Sequence, residues 1–538
     1  MKSRHIYLIW FIAFLPTMVL RDYTPKNEVR YLSIVDEALR NGTLFAFTNQ
    51  GEIYADKPPL HFWLMMAGKQ LLGEHRIWYY SLLSFIPAFI ILITMNKWIG
   101  RERDEKGRER NEKGRKRGMN GESVEKKEGE ASAALMLITS GFFAAATLVV
   151  RMDMLMNMFI VLSLYTFYKM YQGHGRMRDE WLFQLFVFLA LFSKGPLGLL
   201  IPFVTTLTFL MYKRQLSHFT RYWGMKSLLV IVAGCLVWFF GVYLEGGKEY
   251  LYNLLVHQTV GRGIDSFHHK EPFYYYAFSL WYSLAPWSLL MVGLIIAALY
   301  KKRISNTLDQ FFAAMILSTL TMLSLVSSKL AIYSLPVIPF VAYLTIRLVG
   351  SIGSQNRWIK LSLTLPAGGL LLSLPAVVYL GNNIETRYLA HWLIFAGAAV
   401  LSITGLFVLF RLYRGKETHR AINTLAVGIL LAVFVVGWSM PELNSYLGWG
   451  NLCEKAKQLS SAHHIIDYQV YNISRAENMD VFLGKDIVKV SRGELLRESP
   501  GKRLLMLRVK EMSNDPELGT ALSNGEKHLV GRHAIIIF

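Results

Sequence analysis

Thirteen stretches of the chain are apolar all round, near 5–20, 77–97, 132–150, 154–171, 181–193, 196–212, 227–244, 274–299, 309–326, 331–347, 359–380, 391–412 and 421–440. A helix of roughly 20 apolar residues crosses about 30 Å of hydrocarbon. A helix with no polar face has no side to offer water. The pattern therefore predicts an α-helical polytopic membrane protein with about thirteen transmembrane helices. The first stretch follows Lys2, Ser3 and Arg4, as in a secretory signal, but no small-x-small cleavage pattern comes after it and the chain goes on with bulky residues such as Tyr23. It reads as an uncleaved first helix with its N-terminus inside.

Between these stretches the pattern changes. Val29, Leu32, Val35 and Leu39 recur at helical spacing and Gly42 stops them, which predicts a helix lying on the membrane surface. A second surface helix follows Pro58–Pro59 and runs to Gly73, with proline suited to a first turn. From 441 onward, short apolar runs at 465–470, 487–490, 503–509 and 534–537 are spaced by polar turns, which predicts a small C-terminal α/β domain. The expected organisation is a transmembrane domain over 1–440, with outer loops at 21–76 and 245–273, and a soluble extracytoplasmic domain over 441–538. No internal repeat is visible, which weakens a repeat-built transporter.

Composition agrees. Of 538 residues, 53% are hydrophobic, and the mean hydropathy of +0.30 is too high for a soluble chain of this size. The net charge of +20 would in a soluble protein raise nucleic acid as a partner. Here the basic residues cluster in short loops: Arg115-Lys116-Arg117, Arg176 and Arg178, Lys213-Arg214, Lys301-Lys302-Arg303, and 411–420. All fall on one side if each apolar segment crosses once, and the positive-inside rule makes that side cytoplasmic. Nucleic acid is therefore set aside. The stretch 98–130 is rich in Gly and Glu without apolar period and is expected to be a mostly disordered cytoplasmic insertion. The two cysteines, Cys235 in an apolar run and Cys453 in the tail, have no zinc-type spacing.

Five cations sit on the outer side, where the topology disfavours them: Lys57, Arg151, Lys194, Arg262 and Lys329. A charge at the centre of a membrane helix costs roughly 2.5–3.5 kcal/mol on insertion scales and less near the interface. Singly, each is explained by snorkelling to headgroups. Together, from separate loops, they point to an anion-binding cavity, with phosphate the natural anion. The same side carries Glu28, Asp36, Asp56, Asp153, Glu271, His257, His268 and His269. Asp153 follows Arg151 by two residues, either as an ion pair holding a turn or as an acid or base facing the cavity. Asp56-Lys57-Pro58-Pro59 places both charge types at a rigid helix start. A carboxylate with a histidine is enough to hold a divalent cation such as zinc, magnesium or manganese, but the spacing is not diagnostic.

The motifs together resemble the C-fold membrane glycosyltransferases of the lipid A aminoarabinose transferase and protein O-mannosyltransferase group. They are Asn27-Glu28-Val29-Arg30-Tyr31, Tyr54-Ala55-Asp56-Lys57-Pro58-Pro59, Arg151-Met152-Asp153, Ser193-Lys194-Gly195-Pro196, His257 to Arg262 with Pro272 to Tyr276, and Ser328-Lys329-Leu330 with Tyr333, in the family's order over 5–350. The resemblance implies a polyprenyl-phosphate sugar donor, inversion at the anomeric carbon, and an outer active site under surface helices. It implies that Lys57, Arg262, Lys329 and Tyr333 line the donor phosphate. Lys194 is expected to join them. Asp56 and His257 match positions that hold a divalent metal, and Asp153 a cavity carboxylate.

Two departures bear on mechanism. Asn27 stands where an Asp is usual, and Asp56 where the aminoarabinose transferase has a longer Glu. Asn27 can still cap the surface helix but cannot be a base. A hydroxyl acceptor would then need Glu28 or Asp153 to take its proton, whereas an ionised phosphate would need no base. The expected activity is inverting transfer of a hexosyl or pentosyl unit to an extracytoplasmic acceptor: a lipid A-like glycolipid, a glycan or a protein. The bacterial members imply an inner membrane with the active site facing the periplasm. The alternatives are a transporter or flippase of a lipid-linked anion, without chemistry, and a ligase or polymerase of lipid-linked glycans.

Overall fold

In the computed structural model, which describes residues 3–112, 119–256, 270–353, 356–415, 417–497 and 502–538, helix covers each of the thirteen apolar stretches. Among the described residues, seven helices are long and apolar enough to cross a membrane: Ile77–Asp104, Met225–Val256, Thr307–Leu325, Ala331–Ile352, Arg357–Gly381, Trp392–Gly415 and Thr418–Gly437. Two bent pairs, Arg4–Leu20 with Pro25–Asn41 and Glu128–Ile138 with Gly141–Leu148, raise the number to nine if each pair is one span. Shorter apolar helices cover Leu197–Tyr212 and Ser288–Tyr300. The chain is a multi-pass helical membrane protein.

It divides into two compact units. The first holds Met1–Leu15, Ala55–His61 and Tyr80–Val436. Its helices Met152–Tyr171 and Met177–Lys194 run as neighbours joined by a short turn, and Leu197–Tyr212 packs on both. The turn between the last two contains Gly195, whose φ of 100° only glycine adopts readily. Three residues on, a Cβ on Gly198 would lie 2.2 Å from the Ala190 backbone, so glycine is what lets these helices approach. Elsewhere in this unit Trp98 is packed by aromatic rings at 5.2 Å (Phe312) to 6.1 Å (Phe340). Nearby, Arg347 is ion-paired with both Glu102 and Asp309. The stretch 98–130 departs from the expected disorder in its described parts: one helix continues to Glu112 and the next begins at Met119. Glu, Lys and Arg are good helix formers, and Arg103 ties the two helices together through Glu130 at 2.7 Å.

The second unit gathers Pro16–Tyr54, Phe62–Tyr79 and Gly437–Phe538. The stretch expected as a soluble α/β domain, 441–538, falls in one unit with most of the first outer loop. The surface helix spans Arg30–Asn41 and ends at Gly42, with φ 68°, the left-handed stop that glycine favours. Asn27 does not cap it. It lies inside a wide helical turn, Pro25–Val29, that leads into the helix, and its carbonyl accepts the Arg30 N–H. Strands β1 (Thr48–Asn49) and β2 (Glu52–Ile53) form a hairpin. Gln50 in its turn donates to Asp480 at 3.0 Å and to the Glu477 carbonyl at 3.2 Å. The second surface helix is Leu60–Leu72.

The tail supplies a five-stranded mixed sheet, ordered β4-β3-β5-β7-β6. Its strands are β3 (Tyr468–Val470), β4 (Ile487–Lys489), β5 (Leu504–Arg508), β6 (Glu526–Val530) and β7 (His533–Ile537). β3 pairs parallel with β4 and β5, and β7 pairs antiparallel with β5 and β6. β5 and β7 are buried on both faces and read as continuous apolar runs for that reason. Leu505, Leu507 and Ile536 pack with Leu518 and Leu522 from the segment after β5.

Candidate active site

The first unit brings three of the sequence motifs together. Arg151 is extended, with φ −149° and ψ 147°, and precedes the helix Met152–Tyr171, whose first turn holds Asp153. A carboxylate there suits the positive end of the helix dipole. Lys194 closes the helix Met177–Lys194, where a cation suits the negative end. The Lys194 ammonium bonds Asp153 Oδ1, and Arg151 Nε donates to Asp153 Oδ2 at 3.0 Å. The Asp153 side chain is 1% exposed and that of Lys194 5%, so this is a desolvated pair rather than a surface bridge. The ammonium also lies 4.6 Å from the centre of the Tyr333 ring, within cation–π range. Two cations, one carboxylate and a phenol ring thus meet around a buried Asp153–Lys194 pair, with a formal charge of +1 left over.

Tyr333 stands in a short 3₁₀ turn, Ala331–Val337, entered by the extended Leu330. Lys329, buried, donates to the Glu271 carbonyl at 2.9 Å. Beside it, Ser328 pairs with Lys270 in an antiparallel bridge, and Tyr276 Oη reaches the Leu330 carbonyl at 3.3 Å. The sequence pieces around 272–276 and 328–333 are therefore held side by side. Asp56 and Lys57 belong to the same unit and are half-buried. His257, Arg262, His268 and His269 lie outside the described residues.

His61 was not among the residues read from the sequence. It is fully buried, two residues past Pro59, and close enough to Asp153 to feel its charge. Burial pushes its imidazole down to about 4, the Asp153 carboxylate opposing. The signal for it was only its place beside Asp56-Lys57-Pro58-Pro59, since a single histidine carries no spacing pattern.

Glu28 belongs to the second unit and is buried there. Arg21 grips both its oxygens at 2.8 Å, and the Thr24 N–H donates to it at 2.6 Å. A bidentate guanidinium fork fixes the carboxylate geometrically. Asp36 is similarly engaged, by His75 Nε2 at 2.8 Å and by Lys69. Both residues named as proton acceptors, Glu28 and Asp153, are thus ion-paired, and either would have to give up a buried pair to take a proton.

The metal expected at Asp56 has only one of its two proposed ligands among the described residues. Among the described residues, no group of three or more His, Cys, Asp or Glu side chains could hold a metal ion.

No family model matches the chain. It is 22% identical over 351 residues to an uncharacterized protein of Aquifex aeolicus, covering 62% of this chain and 63% of that one. It is 24% identical over 366 residues to undecaprenyl phosphate-alpha-4-amino-4-deoxy-L-arabinose arabinosyl transferase 2 of Pseudomonas fluorescens Pf-5, covering 66% and 57%. These two matches span about three fifths of each relative's length. Transferase 1 of P. fluorescens Pf0-1 is 22% identical over 469 residues, 85% of this chain and 78% of its own. Among solved structures, ArnT from Cupriavidus metallidurans bound to undecaprenyl phosphate superposes with a TM-score of 0.71 at 15% identity, covering 100% of this chain and 98% of that one. In sequence and in fold the chain resembles the lipid A aminoarabinose transferases of the C-fold membrane glycosyltransferase group, as its motifs implied.

Proposed function

We propose that the protein moves a sugar from a polyprenyl-phosphate donor to an acceptor on the extracytoplasmic side of the membrane. The observation that carries this reading is the meeting of Arg151 and Tyr333 around the buried Asp153–Lys194 pair, in a unit that also holds Lys57 and Lys329. The named activity of the relatives and the likeness to ArnT support it.

The acceptor oxygen attacks the anomeric carbon from the face opposite the donor oxygen. The bond from that carbon to the phosphate oxygen breaks, and the electron pair leaves with the polyprenyl phosphate. Negative charge grows on the leaving group, and fixed cations stabilise it more in the transition state than in the ground state. Lys57, Lys329 and the net positive Arg151–Asp153–Lys194 group supply that charge, with Arg262 the fifth motif cation. In this arrangement Asp153 fixes Lys194 in place. Asp56, beside Lys57, takes the proton where the acceptor is a hydroxyl; an ionised phosphate acceptor has none to lose. The transferred unit is a hexose or pentose, and the arabinosyl names of the relatives make a pentose the first to try. The acceptor is a lipid A-like glycolipid, a glycan or a protein. The basic loops put this chemistry on the extracytoplasmic side, and the resemblance to bacterial transferases makes that side the periplasm of an inner-membrane protein.

The test is transfer in proteoliposomes from undecaprenyl-phosphate-linked sugars to extracted glycolipids, read by mass spectrometry, alongside comparison of glycolipids and glycoproteins from cells with and without the gene. A new glycosidic bond and released undecaprenyl phosphate support the proposal. Movement of the donor across the bilayer without bond formation would replace it by the flippase reading, and addition of a whole preassembled glycan by the ligase reading.

A further inference from the structure

The second unit contains a cavity of about 550 Å³ that the reading above does not use. Its volume falls in the range of small-ligand sites. On one side it is walled by Val19, at the end of the apolar helix Ser3–Leu20, and by Ile77 and Trp78, at the start of the span Ile77–Asp104. The ends of apolar helices mark the headgroup level, where tryptophan is enriched, and Trp78 is 40% exposed. Val19, Ile77 and Trp78 therefore set this part of the lining at the level of a lipid's glycerol and phosphate.

On the other side the helix Gly450–His463 presents Asn451, Glu454 and Lys457, spaced three apart on one face. Other charges on the lining are already occupied. Arg21 is taken by Glu28. Asp22 accepts the Gly450 N–H at 2.6 Å and the Tyr23 N–H at 2.7 Å. His75 is bonded to Asp36. That leaves Lys457 and Glu454, both exposed, with Arg76, whose ion pair with Glu74 is more than half exposed on both partners and so weak. Two cations and one carboxylate beside an apolar wall complement a head carrying a phosphate and a primary ammonium.

We propose that this cavity binds a phospholipid with a phosphoethanolamine head, with the phosphate at Arg76 and Lys457, the ammonium at Glu454, and the glycerol and upper chain against Val19, Ile77 and Trp78. The site differs in residues from the reaction group and does not depend on the sugar-transfer reading.

Native mass spectrometry of the full-length, delipidated protein titrated with phosphatidylethanolamine, phosphatidylglycerol and phosphatidylcholine tests it. Phosphatidylethanolamine should bind about tenfold more tightly than phosphatidylcholine, as loss of a charged hydrogen bond would cost. Glu454→Gln should abolish the preference for phosphatidylethanolamine over phosphatidylglycerol, and Arg76→Gln with Lys457→Gln should weaken both. All three side chains are exposed, so an unchanged unfolding temperature checks the variants. Equal retention of the three lipids by the unaltered protein, or a preference untouched by Glu454→Gln, overturns the proposal. Tighter binding of phosphatidylglycerol than of phosphatidylethanolamine overturns it too, leaving a plain anion site.

Discussion

The Lys194 ammonium stands between the Asp153 carboxylate and the face of the Tyr333 ring, which it meets at 4.6 Å. Lys194→Ala should leave a buried carboxylate short of its closest cation and cost about 3–5 kcal/mol of stability, the range for breaking one side of a buried pair. Transfer should be lost. The double variant Lys194→Met with Asp153→Leu should recover most of the unfolding temperature and none of the transfer. Recovery of transfer would remove Lys194 from the reaction.

Lys57 is half-buried on the short segment that also carries Asp56 and His61. Lys57→Ala should reduce kcat/KM at least about 100-fold, as removal of one transition-state charge contact does, while the unfolding temperature stays within a degree or two. Turnover at the normal rate would take the leaving-group role away from it.

The Arg21–Glu28 fork predicts a structural rather than a chemical role for Glu28. Glu28→Gln should destabilise by about 3 kcal/mol, because Arg21 then remains buried without its counter-charge. Arg21→Met with Glu28→Leu should fold and retain transfer. A folded but inactive double variant would return Glu28 to the list of proton acceptors.

Asp36 gives a pH signature. Burial raises its pKa, but the hydrogen bonds and charges of His75 and Lys69 outweigh this, and the carboxyl titrates below its ordinary value. A carboxyl lowered on folding contributes stability above its unfolded pKa near 4, and that contribution is lost as pH falls through the folded value. Asp36→Asn should therefore cost about 1 kcal/mol at pH 7, with the gap closing as the unfolding midpoint is followed below about pH 4. A gap independent of pH would show packing rather than charge.

Much of this was legible in the chain. Apolar runs gave the helices because a membrane span has to be greasy all round, and Gly42 announced the end of the surface helix because its φ of 68° is expensive for other residues. Lys194 and Tyr333, 139 positions apart, were named for one phosphate and stand together. Three things were not legible. The grip of Arg21 on Glu28 has no periodic signal, since it depends on a wide turn at Pro25–Val29. The burial of His61 is set by what packs over it. The helices reaching into 98–130 arise from charged residues that composition alone reads as disorder.

The assignment of Pro16–Tyr54 and Phe62–Tyr79 to the same body as Gly437–Phe538 has a consequence for biosynthesis. Asp22 caps a helix that begins 428 residues later, so the early outer segments emerge long before the chain that completes them. They must wait, partly folded, while every intervening span is inserted. Closure over so long a separation is slow, and a premature stop near residue 440 would strand the amphipathic helix Arg30–Asn41 without its partners, making the unfinished protein a substrate for quality-control proteases.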